Sequence, residues 1–382
     1  MSVYRRLLDL ESDLRSRSVF LFGPRLTGKS FLLARTFPRS PVYDLLRSDV
    51  FFRLASRPGL LAEELAARRG PSTPVVLDEI QKLPVLLDEV HHLIEQRGLR
   101  FILTGSSPRK LVRRSANLLG GRARTRRLHP LVSAELPSFD LVRLLNHGGI
   151  PSIYDSTEPR EDLEAYCGTY LKEEIQAEAS VRNIGNFARF LRVAGLCGGE
   201  LLNYEAVAND AGVPARTVRE YFAVLVDTLA GIMLEPFRAT KKRKAIATSK
   251  FYFFDIGVGN HLAGRVSVRP GTEAFGRCLE HLILVELRAF LDYTHDGRPL
   301  TFWRSRGGDE VDFVIGDETA VEVKGTERVS ERHLRGLQAL ADEMTLRQRL
   351  VVSMDPRERL LNGTRVLPLR RFLDRLWAKE LL

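Results

Sequence analysis

The stretch FLFGPRLTGKSFLL, residues 20–33, constrains the fold more than any other part of the chain. An apolar run, a loop bounded by Gly23 and Gly28, and Lys29-Ser30 opening a second apolar run describe a buried strand, a phosphate loop and a helix. GPRLTGKS fits G-x-x-x-x-G-K-[ST] at Gly23, Gly28, Lys29 and Ser30. Glycine at both ends lets the N–H groups of Pro24-Arg25-Leu26-Thr27 and their neighbours turn onto phosphate oxygens, proline itself contributing none. The helix that follows adds its positive N-terminal end. Lys29 would reach the β- and γ-phosphates, and the Ser30 hydroxyl would ligate Mg²⁺.

Two further strand ends fit the same chemistry. VVLDEI ends an apolar strand in Asp78, placed to hold Mg²⁺ through water, and Glu79, placed to polarise the attacking water. FILTGSS offers Thr104, Ser106 and Ser107, one of them as a γ-phosphate sensor or all as an ordinary strand-to-loop turn. Farther on, GGRARTRRLHPL carries Arg122, Arg124, Arg126 and Arg127. Arg122 is the candidate for stabilising transition-state charge, in cis or in trans; the other three read rather as a basic patch. Strands without clear alternation, separated by helices, predict an α/β domain with a parallel sheet covered on both faces.

Residues 1–18 read as a short amphipathic helix on the spacing of Leu7, Leu8, Leu10 and Leu14. Residues 138–195 read as mostly helical, broken by HGGIPSIYD. NYEAVANDAGVPARTVREYFAVLV then has the layout of a helix-turn-helix, with Gly212 in the turn and Arg216, Thr217 and Arg219 opening the second helix. GIMLEPF and KFYFFD would form a wing carrying Lys241, Lys242, Arg243 and Lys244 at its tip, suited to phosphate contact. The expected domains are a P-loop ATPase domain at 1–137, a helical lid or linker at 138–195, a winged helix-turn-helix at 196–265 and an α/β domain at 266–382.

That last domain opens on the helix EAFGRCLEHLILVELRAFL, followed by the strands LTFWRSR, EVDFVIG and TAVEVKG. Glu280 lies on the helix, Asp312 on one strand, and Glu322 and Lys324, two apart, share one face of the next. The pattern resembles the core of PD-(D/E)XK nucleases, which implies acids that bind Mg²⁺ and a lysine that orients the attacking water. A fold kept without cleavage is the alternative. Trp303, Arg304 and Arg306 would track a nucleic-acid backbone or cover the strand edge.

The formal net charge of +10 over 382 residues suits a polyanionic partner such as DNA, or an arginine-rich chain of no special affinity. Cys167, Cys197 and Cys278 are few, odd in number and far apart, which fits a reducing cytoplasm; no apolar run is long enough to span a membrane. In order, FLFGPRLTGKS, VVLDEIQKLP, FILTGSSPRKL, GGR and LHPLVSAEL resemble the AAA-type P-loop ATPases joined to a DUF4143 C-terminal region. Gln81, TGSS and PLVSAE carry the resemblance, with Val132 a mild departure outside the nucleotide site. It implies ATP, rather than GTP, as the nucleotide. The expected function is an ATP-hydrolysing engine that couples nucleotide state to DNA binding or remodelling. The alternatives are an ATP-gated Mg²⁺-dependent nuclease and a nucleotide-dependent switch acting on a protein partner. Homo-oligomerisation stays open.

Overall fold

The computed structural model describes residues 3–67, 73–107, 119–170, 183–239 and 245–382. The basic run Lys241, Lys242, Arg243 and Lys244 lies outside these residues. The N-terminal sheet has five strands: β1 (Ser18–Phe22), β2 (Val42–Asp44), β3 (Val75–Asp78), β4 (Phe101–Gly105) and β5 (Ala123–Arg127). They lie in the order β2-β3-β4-β1-β5 and every pairing is parallel. β3 and β4 are buried at every residue, which is why they read as apolar runs without alternation. β5 is a half-exposed edge whose arginines hide its strand character in the sequence.

The helix expected over residues 1–18 is confined to Leu10–Leu14. Residues 3–9 are extended instead, with Tyr4 and Leu8 buried and Val3, Arg5 and Leu7 facing outward. The side chain of Arg6 follows the same inward parity, so the period is two and not 3.6. A buried guanidinium is what the leucine spacing concealed.

The middle of the chain is helical, at Leu141–His147, Pro151–Tyr154, Pro159–Ala165, Ile184–Leu196, Tyr204–Ala211 and Ala215–Asp227. It closes on an antiparallel pair, β6 (Gly231–Leu234) and β7 (Lys250–Phe253). The break at HGGIPSIYD has a physical cause in Asp255, the N-cap of helix Ile256–Leu262. Its buried carboxylate accepts hydrogen bonds from Gly149 N (2.7 Å) and Val258 N (3.1 Å). A Cβ on Gly148, where φ is +77°, would lie 2.0 Å from that carboxylate, so only glycine allows the approach.

The helix Glu273–Thr294 follows and is buried on nearly every side over its second half, as a central helix must be. Beyond it lie β8 (Leu300–Arg304), β9 (Glu310–Ile315), β10 (Thr319–Lys324), β11 (Gln348–Ser353), β12 (Arg359–Leu361) and β13 (Thr364–Pro368). They form a mixed sheet in the order β12-β13-β11-β10-β9-β8, parallel across β10, β11 and β13 and antiparallel elsewhere. One face of the long helix packs with Phe313, Val321 and Phe372 in the largest core. Its last turns, Ala289 and Tyr293, join Leu8, Val19, Leu21 and Ile102 of the N-terminal sheet. Among the described residues no helix is long and apolar enough to cross a membrane.

The two sheets are also tied through a buried acid. Glu286 of the long helix accepts hydrogen bonds from Ser133 N (2.6 Å), Ser133 Oγ (3.0 Å) and Trp377 Nε1 (2.6 Å). Burial outweighs these bonds, and Glu135 adds repulsion, so the carboxyl is pushed up from 4.5 to about 7. The folded protein therefore holds this proton more tightly than the unfolded chain does. Below pH 4.5 the group is neutral in both states and carries no penalty; as pH rises from 4.5 to about 7 stability falls, by on the order of 3 kcal/mol. Glu286→Gln removes that slope, and urea unfolding of both proteins across this pH range measures the difference.

Candidate functional site

β1 delivers the chain into the loop Gly23–Gly28, and helix Lys29–Thr36 leaves it. Gly28 sits at φ +92° and Leu26 at φ +61°, left-handed turns of the kind by which successive amides form an anion-binding concavity. A Cβ on Gly23 would lie 2.6 Å from the main-chain oxygen of Leu128, so the loop is pressed against the strand exit beside it. Thr27 Oγ1 braces the loop by donating to Pro24 O (2.8 Å). Lys29 is buried, and its ammonium donates to Gly23 O (2.6 Å) and Pro24 O (3.1 Å). A buried ammonium with its loop wrapped about it fits an anionic ligand such as a nucleotide phosphate.

Asp78, at the end of β3, faces this loop. Its Oδ2 accepts from Ser30 Oγ (2.9 Å), and its Oδ1 from Thr104 Oγ1 of β4. A hydroxyl beside a carboxylate, both hard oxygen donors, fits Mg²⁺, so Ser30 and Asp78 are the residues that would hold it. Glu79 follows in a left-handed conformation, φ +60°, with its N–H bonded to Thr104 Oγ1 (3.1 Å). Its carboxylate accepts from Gln81 Nε2 (2.5 Å), which also reaches Ser106 Oγ (3.2 Å). Burial raises the Glu79 carboxyl above its ordinary range, against the pull of Lys29. A Cβ on Gly105 would come within 2.7 Å of the Gln81 amide, so the glycine of TGSS leaves the space in which Gln81 reaches Glu79. Nothing in the sequence distinguishes Gln81 chemically beyond its place in the DEIQ string.

Arg6 was not legible as a site residue at all. It donates to Thr27 O (2.7 Å) and His129 O (2.5 Å), ion-pairs with Glu135 (3.0 Å) and touches Tyr293 Oη (3.3 Å). Beside it a cavity of about 230 Å³ opens at Gly28, lined by Tyr4, Leu26, Phe31, Pro151 and Asp155. Tyr4 donates its hydroxyl to Asp155. An apolar slot with a few polar atoms next to a phosphate loop has the makings of a base pocket.

The arginines divide. Arg124 and Arg126 pair with the buried Asp13 (2.8 and 2.5 Å), fastening the edge strand to helix Leu10–Leu14. Arg122 precedes β5 at the end of the sheet opposite the loop, where its main chain bonds Ser18 and its guanidinium meets Glu95. It is therefore not brought together with Lys29 and Asp78 of its own chain. Arg127, paired in register with Phe22, stands at the loop's end of the sheet.

In the middle segment Arg216 and Arg219 are exposed and Thr217 is half-buried. Arg216 pairs with Glu220, and Arg219 stacks its guanidinium 5.1 Å from the Tyr204 ring centre. In the last sheet Glu322 and Lys324 do share a face, with 2.5 Å between Nζ and Oε1. Asp312 Oδ2 accepts from Val323 N (2.7 Å). Glu280, however, is bonded to Lys250 (3.0 Å) and Tyr252 (2.6 Å) of β7. Trp303 is fully buried in the core, which corrects its reading as a nucleic-acid contact; both faces of β8 are covered there, Phe302 packing into one core and Trp303 into another. Arg304 pairs with Glu310 (3.2 Å).

Residues 15–136 match a family model described as an AAA domain. Residues 138–268 and 275–372 match two models described as domains of unknown function, DUF8612 and DUF4143. The chain thus carries an AAA domain followed by a DUF4143 domain. The ORC1 protein of Aeropyrum pernix, solved in complex with DNA, is 15% identical over 68% of this chain and 93% of its own, with a TM-score of 0.29. A signal transduction ATPase with numerous domains from Pyrococcus horikoshii is 17% identical over 77% of this chain and 49% of its own, with a TM-score of 0.23. Likenesses this weak carry no functional argument. No curated protein matches the chain.

The tight contact at Gly23 gives a direct test of the loop. Gly23→Ala pushes a methyl against the Leu128 carbonyl, a main-chain atom that cannot step aside, and is expected to destabilise the fold by about 1–3 kcal/mol. Nucleotide affinity falls with it; thermal unfolding and fluorescent-nucleotide titration read the two effects.

Proposed function

We propose that this chain is an ATP-binding and hydrolysing AAA-type ATPase that couples nucleotide state to DNA engagement. The observation that carries the reading is the convergence of Lys29, Ser30, Asp78 and Glu79 from two strand ends on one loop, with Thr104 of a third strand bonded to Asp78 and to the Glu79 N–H. Lys29 would hold the β- and γ-phosphates; bound Mg²⁺ would neutralise charge developing between them. Glu79 accepts the proton of the attacking water once Gln81 yields its carboxylate, and its raised affinity for protons suits that task. Thr104 orients both acids, and Ser106 positions Gln81. The slot at Tyr4, Phe31 and Asp155 takes the base.

DNA engagement rests on the net charge of +10 and on Arg216 and Arg219, exposed at the start of the second helix of a helix-turn-helix. In this reading residues 1–137 are the engine, 138–195 a helical lid, 196–265 a winged helix with Lys241, Lys242, Arg243 and Lys244 on its wing, and 266–382 a nuclease-like domain. Arg122, turned away from its own chain's site, would act on a neighbouring subunit if it acts on a nucleotide.

Glu79→Gln should keep ATP affinity within a few-fold while lowering turnover roughly 10²–10⁴-fold, as loss of a general base does. Wild-type turnover should change on adding DNA; no hydrolysis, and none with DNA, would overturn the proposal. Arg216→Ala with Arg219→Ala should weaken DNA binding and flatten its dependence on salt by about one to two phosphate contacts, measured by anisotropy across a salt series.

A further inference from the structure

The acids of the last sheet are already provided with cations. Lys250, the first residue of β7, buries its side chain almost completely and places Nζ 3.0 Å from Glu280 Oε1 and 2.6 Å from Glu310 Oε1. It belongs to the hairpin, Glu280 to the long helix and Glu310 to β9. Tyr252, two residues on and on the same face, donates to the same Glu280 oxygen (2.6 Å). Arg304 takes the second oxygen of Glu310 (3.2 Å), and Lys324 takes Glu322. Three cations, Lys250, Arg304 and Lys324, thus lie against the carboxylates Glu280, Glu310 and Glu322, and Asp312 is held by a main-chain N–H. Burial raises both the Asp312 and the Glu322 carboxyls above their ordinary range. Among the described residues no three His, Cys, Asp or Glu side chains converge as a metal-holding group.

We propose that Lys250 is a built-in cation filling this acidic centre, which excludes a divalent ion and makes the cluster a charge junction fastening the β6–β7 hairpin to the C-terminal sheet. An ammonium between Glu280 and Glu310 repels a second positive ion brought to the same oxygens. Its removal leaves hard oxygen donors in excess of cations, the donor set that Mg²⁺ and Mn²⁺ prefer, and frees Glu280 and Glu310 to close on an ion in the ammonium's place. The inference is independent of nucleotide hydrolysis and stands or falls apart from it.

The test uses the full chain without nucleotide, carrying Ser30→Ala to remove metal binding at the phosphate loop, with Mn²⁺ titrations followed by electron paramagnetic resonance. The chain with Lys250 intact binds no Mn²⁺ that Glu280→Gln abolishes. Lys250→Met acquires about one Mn²⁺ per chain, with affinity on the order of 10–1000 µM, and adding Glu280→Gln removes it. Stoichiometric Mn²⁺ at the intact cluster, lost with Glu280→Gln or Glu322→Gln, overturns the proposal, as does a folded Lys250→Met chain that gains no site. Should Lys250→Met not fold alone, its pairing with Glu280→Gln decides. Removing both charges restores much of the melting temperature that either change loses if they form a junction, and additive losses overturn it.

Discussion

One buried guanidinium sets the relation between the phosphate loop and the rest of the chain. Arg6 bonds the loop at Thr27, the strand exit at His129, the carboxylate of Glu135 and the hydroxyl of Tyr293 on the long helix. Glu135 is itself buried and also accepts from Leu7 N (2.8 Å), so neither charge is tolerable without the other. Two residues earlier Ser133 bonds Glu286. The short stretch PLVSAE thus meets the extended N-terminal segment on one side and the long helix on the other, through polar groups that must all be satisfied. A single side chain thus bonds both the loop's Thr27 carbonyl and the long helix.

The chemistry of the candidate site is assembled but restrained. Lys29 is engaged by its own loop, Ser30 lies directly on Asp78, and Glu79 is held by Gln81. Each of these bonds satisfies a group that a nucleotide, its metal or a water would otherwise engage. The arrangement avoids leaving buried charges unpartnered, and in the ATPase proposed above activation would be an exchange of hydrogen bonds within the same few side chains.

What the sequence made legible follows from how local the chemistry is. The loop, Asp78 and Glu79 were readable because each depends on a residue type at one strand end, and the parallel sheet because β3 and β4 are apolar throughout. The helices around Gly212 and the shared face of Glu322 and Lys324 were readable by periodicity. Residues 3–9 misled because leucines at helical spacing outweighed one inward arginine. β5 was hidden by arginines that only make sense opposite Asp13, over a hundred positions away. Lys250 sits in KFYFF like any strand-leading lysine, and its partners lie in two other elements. Pairings across long sequence separations leave no local trace.

The hairpin also bears on what counts as a unit of this chain. Sequence families divide it between residues 268 and 275. Yet across that line Phe302 N bonds Glu235 O (3.1 Å), Phe237 N bonds Phe302 O (2.6 Å) and Ile246 N bonds Arg304 O (3.0 Å), so the preceding segment lies along β8, the sheet's outer strand. A fragment starting at the later boundary would bare that strand edge and strip Glu280 of its partners at once, inviting edge-to-edge aggregation. The family boundary is therefore no boundary of the fold, because the hairpin's backbone and the Lys250 ammonium are bonded across it.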